Sequence, residues 1–390
     1  MNREDFRKLI TSRMIFMDGA TGSILLKRGM PTGVCQEKWI VENPEVISTL
    51  QREYRNAGSD IILSPGFGAN RPLLTEHGLG DETVSLNKAL VNVSKKANPD
   101  ALIAGDVSMT GVSLEPMGDT TFEELIGIYK EQISAIAEAG ADLIVIETVI
   151  NLADARAAVI AAREVCDLPI MVTMSFNENG MTLYGTSPES AVITLQGLGI
   201  DAFGVNCSAG PDNMYPIIEK IVRFAKVPII VKPNAGMPKV GEDGSARYDM
   251  KPEEFVSHFK RILDLGGVNI VGGCCGTSPD FIKALKDNFS DFKVKSDIYQ
   301  KTFEDKMVAT SRLGVFLKDA EDFEEVEVDV FSPDEIIDEI NEMQSDFLCI
   351  KGSDPAKIEA ALRVYNGIAL YKGDPKEGVI EVLNKYGAVL

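Results

Sequence analysis

The residues best placed for chemistry are cysteines. The stretch VGGCCGTSPD (271–280) sets Cys274 and Cys275 side by side after paired glycines, and Cys207 ends the apolar run AFGVNCS. Thiolates are nucleophiles and ligands for borderline-soft cations. Neighbouring side chains on an extended strand point to opposite faces. Both thiols therefore serve one point only if the backbone turns, as Gly272 and Gly273 would allow. Taken alone, an adjacent pair reads as packing, and a redox pair usually has C-x-x-C spacing. A structural zinc would want a fourth Cys or His. Three cysteines at one mouth instead suit Zn²⁺ with three protein ligands and an open fourth position. Such a site carries net negative charge, so it is a poor source of hydroxide. It can bind an incoming thiol and lower its pKa, and the implied reaction is alkyl transfer to sulfur. Ser278 and Pro279 read as the N-cap and first position of a following helix, whose N-terminus favours thiolates.

The elements that must position these groups are legible as a repeat. Short apolar runs alternate with stretches of helical period: MIFMDG (14–19), DIILSP (60–65), ALIAGDV (101–107), ADLIVIET (141–148), PIMVTMSF (169–176), AFGVNCS (202–208), PIIVKPNAG (228–236) and VNIVGGCCG (268–276). Continuous apolar strands separated by helices are the pattern of parallel βα units. Eight such units fit an α/β fold of the (β/α)₈ TIM-barrel class. A doubly wound open sheet competes, but no G-x-G-x-x-G follows the first strand. The expected division is a barrel over residues 1–292 and a small α/β appendage over 293–390. The acidic run DAEDFEEVEVD (319–329) reads as a solvated face or linker.

In a barrel the site lies at the C-terminal ends of the strands, and polar residues gather there. Asp18 and Gly19 follow the first strand and Ser64 ends the second. Asp106, Glu147 and Asn206 end the third, fourth and sixth, and Asn234 follows the seventh. Singly, Asp18 could form a turn and Asp106 could cap a helix. Jointly they make a polar ring, in which Asp18 and Glu147 could receive an ammonium group while backbone N–H groups at the glycine turns take a carboxylate. A small amino-acid thiol fits that outline. Cys35, Cys166 and Cys349 read as small buried hydrophobes. With a net charge of −20 over 390 residues, 45% of them hydrophobic, nucleic-acid and anionic-membrane binding are disfavoured. The absence of a long apolar run and of a signal-like N-terminus leads to the expectation of a cytoplasmic protein.

DGATGS (18–23), GFGAN (66–70), ET (147–148), GVNCSAGP (204–211), PNAG (233–236) and GGCCG (272–276) together resemble the homocysteine S-methyltransferase family, over roughly residues 10–290. The resemblance implies a zinc-dependent barrel that methylates the thiolate of homocysteine to give methionine. It implies Cys207, Cys274 and Cys275 as catalytic zinc ligands, and Asn234 as the residue that approaches the metal when substrate is absent. By the same resemblance Asp18 and Glu147 hold the substrate amine, and Gly19 and Asn206 belong to the same binding motifs. MSFNENGMTLYGTSP (174–188) and PNAG are similar to the N-terminal homocysteine-binding module of cobalamin-dependent methionine synthases. AALRVYNGIAL (360–370) and LNKYGAVL (383–390) resemble a truncated pterin-binding module.

That branch implies a methyl-corrinoid (methylcobalamin) donor on a partner protein, with methyltetrahydrofolate bound by a separate subunit. No corrinoid-binding D-x-H-x-x-G is present. GDVSMTG (105–111) and LSPGFGAN (63–70) depart from that module in loops facing the donor. Trp39 matches a tryptophan of branches that use betaine or S-methylmethionine, and also reads as rim packing. The alternatives are therefore S-methylmethionine, S-adenosylmethionine or betaine as donor, or an obligate zinc subunit inactive alone.

Overall fold

The computed structural model describes residues 1–240, 246–295, 308–317, 323–343 and 346–390. Eight parallel strands form one sheet: β1 (Ile15–Phe16), β2 (Ile61–Ser64), β3 (Leu102–Val107), β4 (Leu143–Val149), β5 (Ile170–Met174), β6 (Ala202–Asn206), β7 (Ile229–Lys232) and β8 (Val268–Val271). Pairing of β1 with β8, and a bridge from Met17, just past β1, to Ile61 of β2, close it into a barrel. Helices follow the strands on the outside, as the alternation of apolar runs requires.

The alternation of side chains fixes what faces inward. Met17, Ile61, Leu63, Ala104, Leu143, Val145, Met171, Ala202, Ile230 and Ile270 form one interior cluster. Their neighbours Phe16, Ile62, Ile103, Ile144, Val172, Phe203, Val231 and Val271 belong to the larger core under the helices. The N-terminal helix Arg3–Ser12 closes the bottom of the barrel, where Phe6 and Ile10 join the interior cluster. Asn269 donates a 2.7 Å hydrogen bond to the Ile10 carbonyl there.

The C-terminal part builds a hairpin, β9 (Val308–Thr310) with β10 (Val315–Leu317), and a parallel sheet of β11 (Glu324–Glu327), β12 (Leu348–Lys351) and β13 (Leu370–Tyr371). Three helices, Pro333–Glu342, Pro355–Val364 and Glu377–Tyr386, accompany the sheet. The acidic run, expected to be a solvated face or linker, is in part a strand that keeps a solvated face. Glu324–Glu327 pairs with Leu348–Lys351, burying Val326 while the glutamates stay exposed. Residues 319–322 of that run lie outside the described residues.

Candidate metal centre

The three cysteines converge. The Cys207, Cys274 and Cys275 sulfurs all lie within 4.8 Å of one another, and Cys207 Sγ is 3.6 Å from Cys275 Sγ. Thiolates on a tetrahedral zinc, each at about 2.3 Å, stand about 3.8 Å apart, so the donor set and its spacing fit that ion. Hydrogen bonds from Cys207 first, then Cys274, hold Cys275 far below the ordinary thiol range, at about 3, with Tyr248 adding another. Hydrogen bonding to Cys207 and Cys275, with burial, pushes Cys274 up. Three thiols sharing protons in this way offer a cation a ready place to displace them.

The backbone that presents them differs from expectation in one respect. The left-handed residues here are Cys207 itself (φ 51°) and Gly276 (φ 80°), not Gly272 or Gly273. Those two glycines permit close approach instead. A Cβ on Gly272 would lie 2.9 Å from Met17 Cβ, and one on Gly273 would lie 2.3 Å from Thr277 Oγ1. Ser278 is the N-cap position of the helix Pro279–Phe289, but its hydroxyl makes no capping hydrogen bond. The PNAG segment staples the two thiol loops together. Asn234 N–H donates to the Ala209 carbonyl, and Ala235 N–H donates to the Cys275 carbonyl, each at 2.9 Å. Cys274 N–H reaches the Pro233 carbonyl at 2.8 Å. Asn234 is buried, and its Oδ1 has no partner among the described residues.

One step above the interior cluster, the inward positions turn polar: Asp106 beyond Ala104, Glu147 beyond Val145, Asn206 beyond Gly204 and Lys232 beyond Ile230. Lys232 is 2% exposed and its Nζ is 2.8 Å from Glu147 Oε2. Burial alone would lower the lysine, but Glu147 and Asp18 outweigh it and hold Lys232 charged. Asp18 accepts the Leu63 N–H at 2.9 Å through Oδ2, while its buried Oδ1 has no partner among the described residues. Burial raises Asp18 to about 6 against the pull of Lys232. Burial first, then the charge of Glu147, raises Asp106 as well. Gly19 packs so tightly that a Cβ would meet Thr277 Oγ1 at 2.6 Å and Tyr54 Oη at 2.8 Å.

The family model for homocysteine S-methyltransferases matches residues 15–289. The chain belongs to that family. Methionine synthase of Mycobacterium leprae is 28% identical over 301 residues, covering 72% of this chain and 25% of the relative. Methionine synthase of Mycobacterium tuberculosis is 28% identical over 309 residues, covering 74% and 26%. The chain thus spans about a quarter of the length of these relatives. The metallated form of the homocysteine methyltransferase MmuM from Escherichia coli superposes with a TM-score of 0.62 at 22% identity, covering 72% of this chain and 98% of that one. Its oxidised form gives 0.60 at 22% identity, covering 74% and 100%. At that identity the likeness shows the barrel fold.

Within this homocysteine S-methyltransferase family barrel, the expected site residues gather at one mouth, with Asn206 in a structural setting. Its Oδ1 accepts the Thr148 N–H at 3.0 Å, and its Nδ2 donates to Thr148 Oγ1 at 2.7 Å and faces Cys274 Sγ at 3.9 Å. That clamp holds Thr148 at φ 60°, an unusual conformation for a β-branched residue, beside an irregularity in β4 at Glu147. Two members went unread in the sequence. Lys232 stood in plain view in PIIVKP, where period-two alternation after Ile230 turns it inward. Tyr248, which packs against Gly276 from the β7–β8 connection and helps to lower Cys275, carries no such signal. Among the described residues no helix is long and apolar enough to cross a membrane.

Proposed function

We propose that this chain transfers a methyl group to the sulfur of homocysteine, giving methionine, with zinc held by Cys207, Cys274 and Cys275. The observation that carries the reading is the convergence of three sulfurs within 4.8 Å at the mouth of a barrel of this family. Zinc there would bind the substrate thiol and lower its pKa, so that the thiol proton leaves before methylation. The chain's own residues do the rest. Asp18 and Glu147 sit on the pocket floor as acceptors for the substrate ammonium group. The buried, unpartnered Asn234 amide is a neutral acceptor beside the thiol loops, suited to stand near the metal until substrate arrives. The sulfur lone pair forms the new S–CH₃ bond as the donor's bond to methyl breaks, and the donor keeps that electron pair.

The donor we favour is a methyl-corrinoid brought by a separate protein. Similarity to the methionine synthases supports it. So does Trp39, the single tryptophan, whose side chain packs against the hydrophobic core rather than offering an aromatic cage to an onium donor. The test supplies zinc-loaded chain and homocysteine with methylcobalamin, S-methylmethionine, S-adenosylmethionine or betaine in turn. Methionine formed from methylcobalamin, free or protein-bound, is the expected outcome. Turnover only with an onium donor would replace the donor assignment. Cys207→Ala and Cys275→Ala should each lose stoichiometric zinc, and full retention in either would sink the three-thiolate site.

A further inference from the structure

Among the described residues the polar ring at the barrel mouth holds more buried acids, Asp18, Asp106 and Glu147, than buried lysines, Lys232. Asp106 is 5% exposed, sits at the inward-facing end of β3, and has an Oδ1 with no hydrogen-bond partner among the described residues. Asp18 likewise has an unpartnered buried Oδ1. Among the described residues Lys232 makes its 2.8 Å ion pair with Glu147 alone. Glu37, buried on the helix Gln36–Glu42, adds a further negative charge on the Asp106 side, held by the Gly68 N–H at 2.9 Å. Buried carboxylates without a partner are costly and mark a place for a cationic ligand. Among the described residues their oxygens do not close to the spacing of ligands on one metal ion, as the three sulfurs do. A cation that reaches separated acceptors through several N–H bonds suits them better.

We propose that Asp106 is a specificity-determining residue, the third wall, with Asp18 and Glu147, of a socket for the substrate's ammonium group. The inference rests on the homocysteine reading above and extends it to a residue given no part in binding. Lys232 acts as a positioning residue. It fixes one oxygen of Glu147 and leaves the other acceptors of the floor open. Occupied, the socket pairs each acid with an N–H donor. A thiol lacking the amine leaves the acids buried and unanswered, so the chain discriminates by the penalty on the wrong thiol as much as by attraction to the right one.

The experiment is calorimetric binding to the zinc-loaded full chain, without donor, of L-homocysteine and of 4-mercaptobutanoate, which keeps the thiol and carboxylate but has no amine. The wild-type chain should prefer homocysteine by roughly tenfold or more. Asp106→Asn, close in shape, should weaken homocysteine by roughly tenfold while 4-mercaptobutanoate binds unchanged or tighter. Equal affinity of the wild-type chain for the two thiols would overturn the socket, and this arm needs no variant to fold. Unaltered homocysteine affinity in Asp106→Asn, or an equal loss for both thiols, would also overturn it. Failure of the wild-type chain to bind homocysteine while zinc is in place would overturn the homocysteine reading itself, a distinct result.

Discussion

Lys232 and Glu147 show what one residue decides in this pocket. Their ion pair is almost fully buried, at 2% and 10% side-chain exposure. Removing one partner of such a pair leaves an uncompensated charge, at a cost of about 3–5 kcal/mol. Lys232→Met should therefore lower the denaturation free energy by that amount. The double variant Lys232→Met with Glu147→Gln should recover most of it, because both charges are then gone. If the single and double variants are equally destabilised, packing of the lysine stem rather than charge explains the loss. The same double variant should still bind homocysteine poorly, since a carboxylate of the pocket floor is missing. Stability and binding are separable at this one pair.

At the scale of elements, the thiols are placed by close contacts between backbones. The β8 end lies against the β1 end, with Gly273 N–H on the Asp18 carbonyl at 3.0 Å, and Thr277 Oγ1 bonds the Cys274 carbonyl at 2.7 Å. Thr277 is fully buried, so a Cβ on Gly273, 2.3 Å from that hydroxyl oxygen, forces the loop to move. Gly273→Ala should lower zinc affinity at least about tenfold, since misplaced ligands lose bond geometry, while far-ultraviolet circular dichroism keeps the barrel signature. Unchanged affinity in a metal-competition titration would show that the loop has slack. The eight strands and the three converging cysteines were legible because apolar runs and their polar ends are local signals. Other features were not, because they depend on partners far along the chain. The Glu147–Lys232 pair spans 85 residues. The left-handed Cys207 is a backbone property that its side chain does not announce. The acidic texture of residues 324–327 reported the exposed face those glutamates make, but a single buried Val326 was too little to mark the strand beneath it.

For the whole molecule, the question is what the C-terminal sheet does for the barrel. The helix Leu152–Val165 is buried continuously from Leu152 to Ala162, whereas an outer barrel helix ordinarily keeps a polar face in water. The C-terminal part supplies the cover. Arg156, 1% exposed, donates to the Leu362 carbonyl at 2.8 Å, the Arg363 carbonyl at 3.2 Å and Asn366 Oδ1 at 3.4 Å. It thereby caps the last turn of the helix Pro355–Val364. Ser190 donates to the Gly314 carbonyl at 2.8 Å, Thr194 bonds Thr310 at 2.9 Å, and Arg363 pairs with Glu164 at 2.7 Å. The strands close without this sheet, so removing residues 293–390 should leave the thiol loops in place while it uncovers an alanine-rich helix and strands a buried guanidinium. Arg156→Ala isolates the effect in the intact chain. It leaves helix-end carbonyls unanswered, at a cost on the order of 2–4 kcal/mol. Amide exchange in residues 355–364 should then quicken while zinc content stays at the wild-type value, because the thiols lie in the loops after β6 and β8 and the docking helices follow β3, β4 and β5. Loss of zinc in step with exchange protection would mean that barrel and appendage unfold as one unit. Unchanged exchange would mean that Arg156 is not what holds them together.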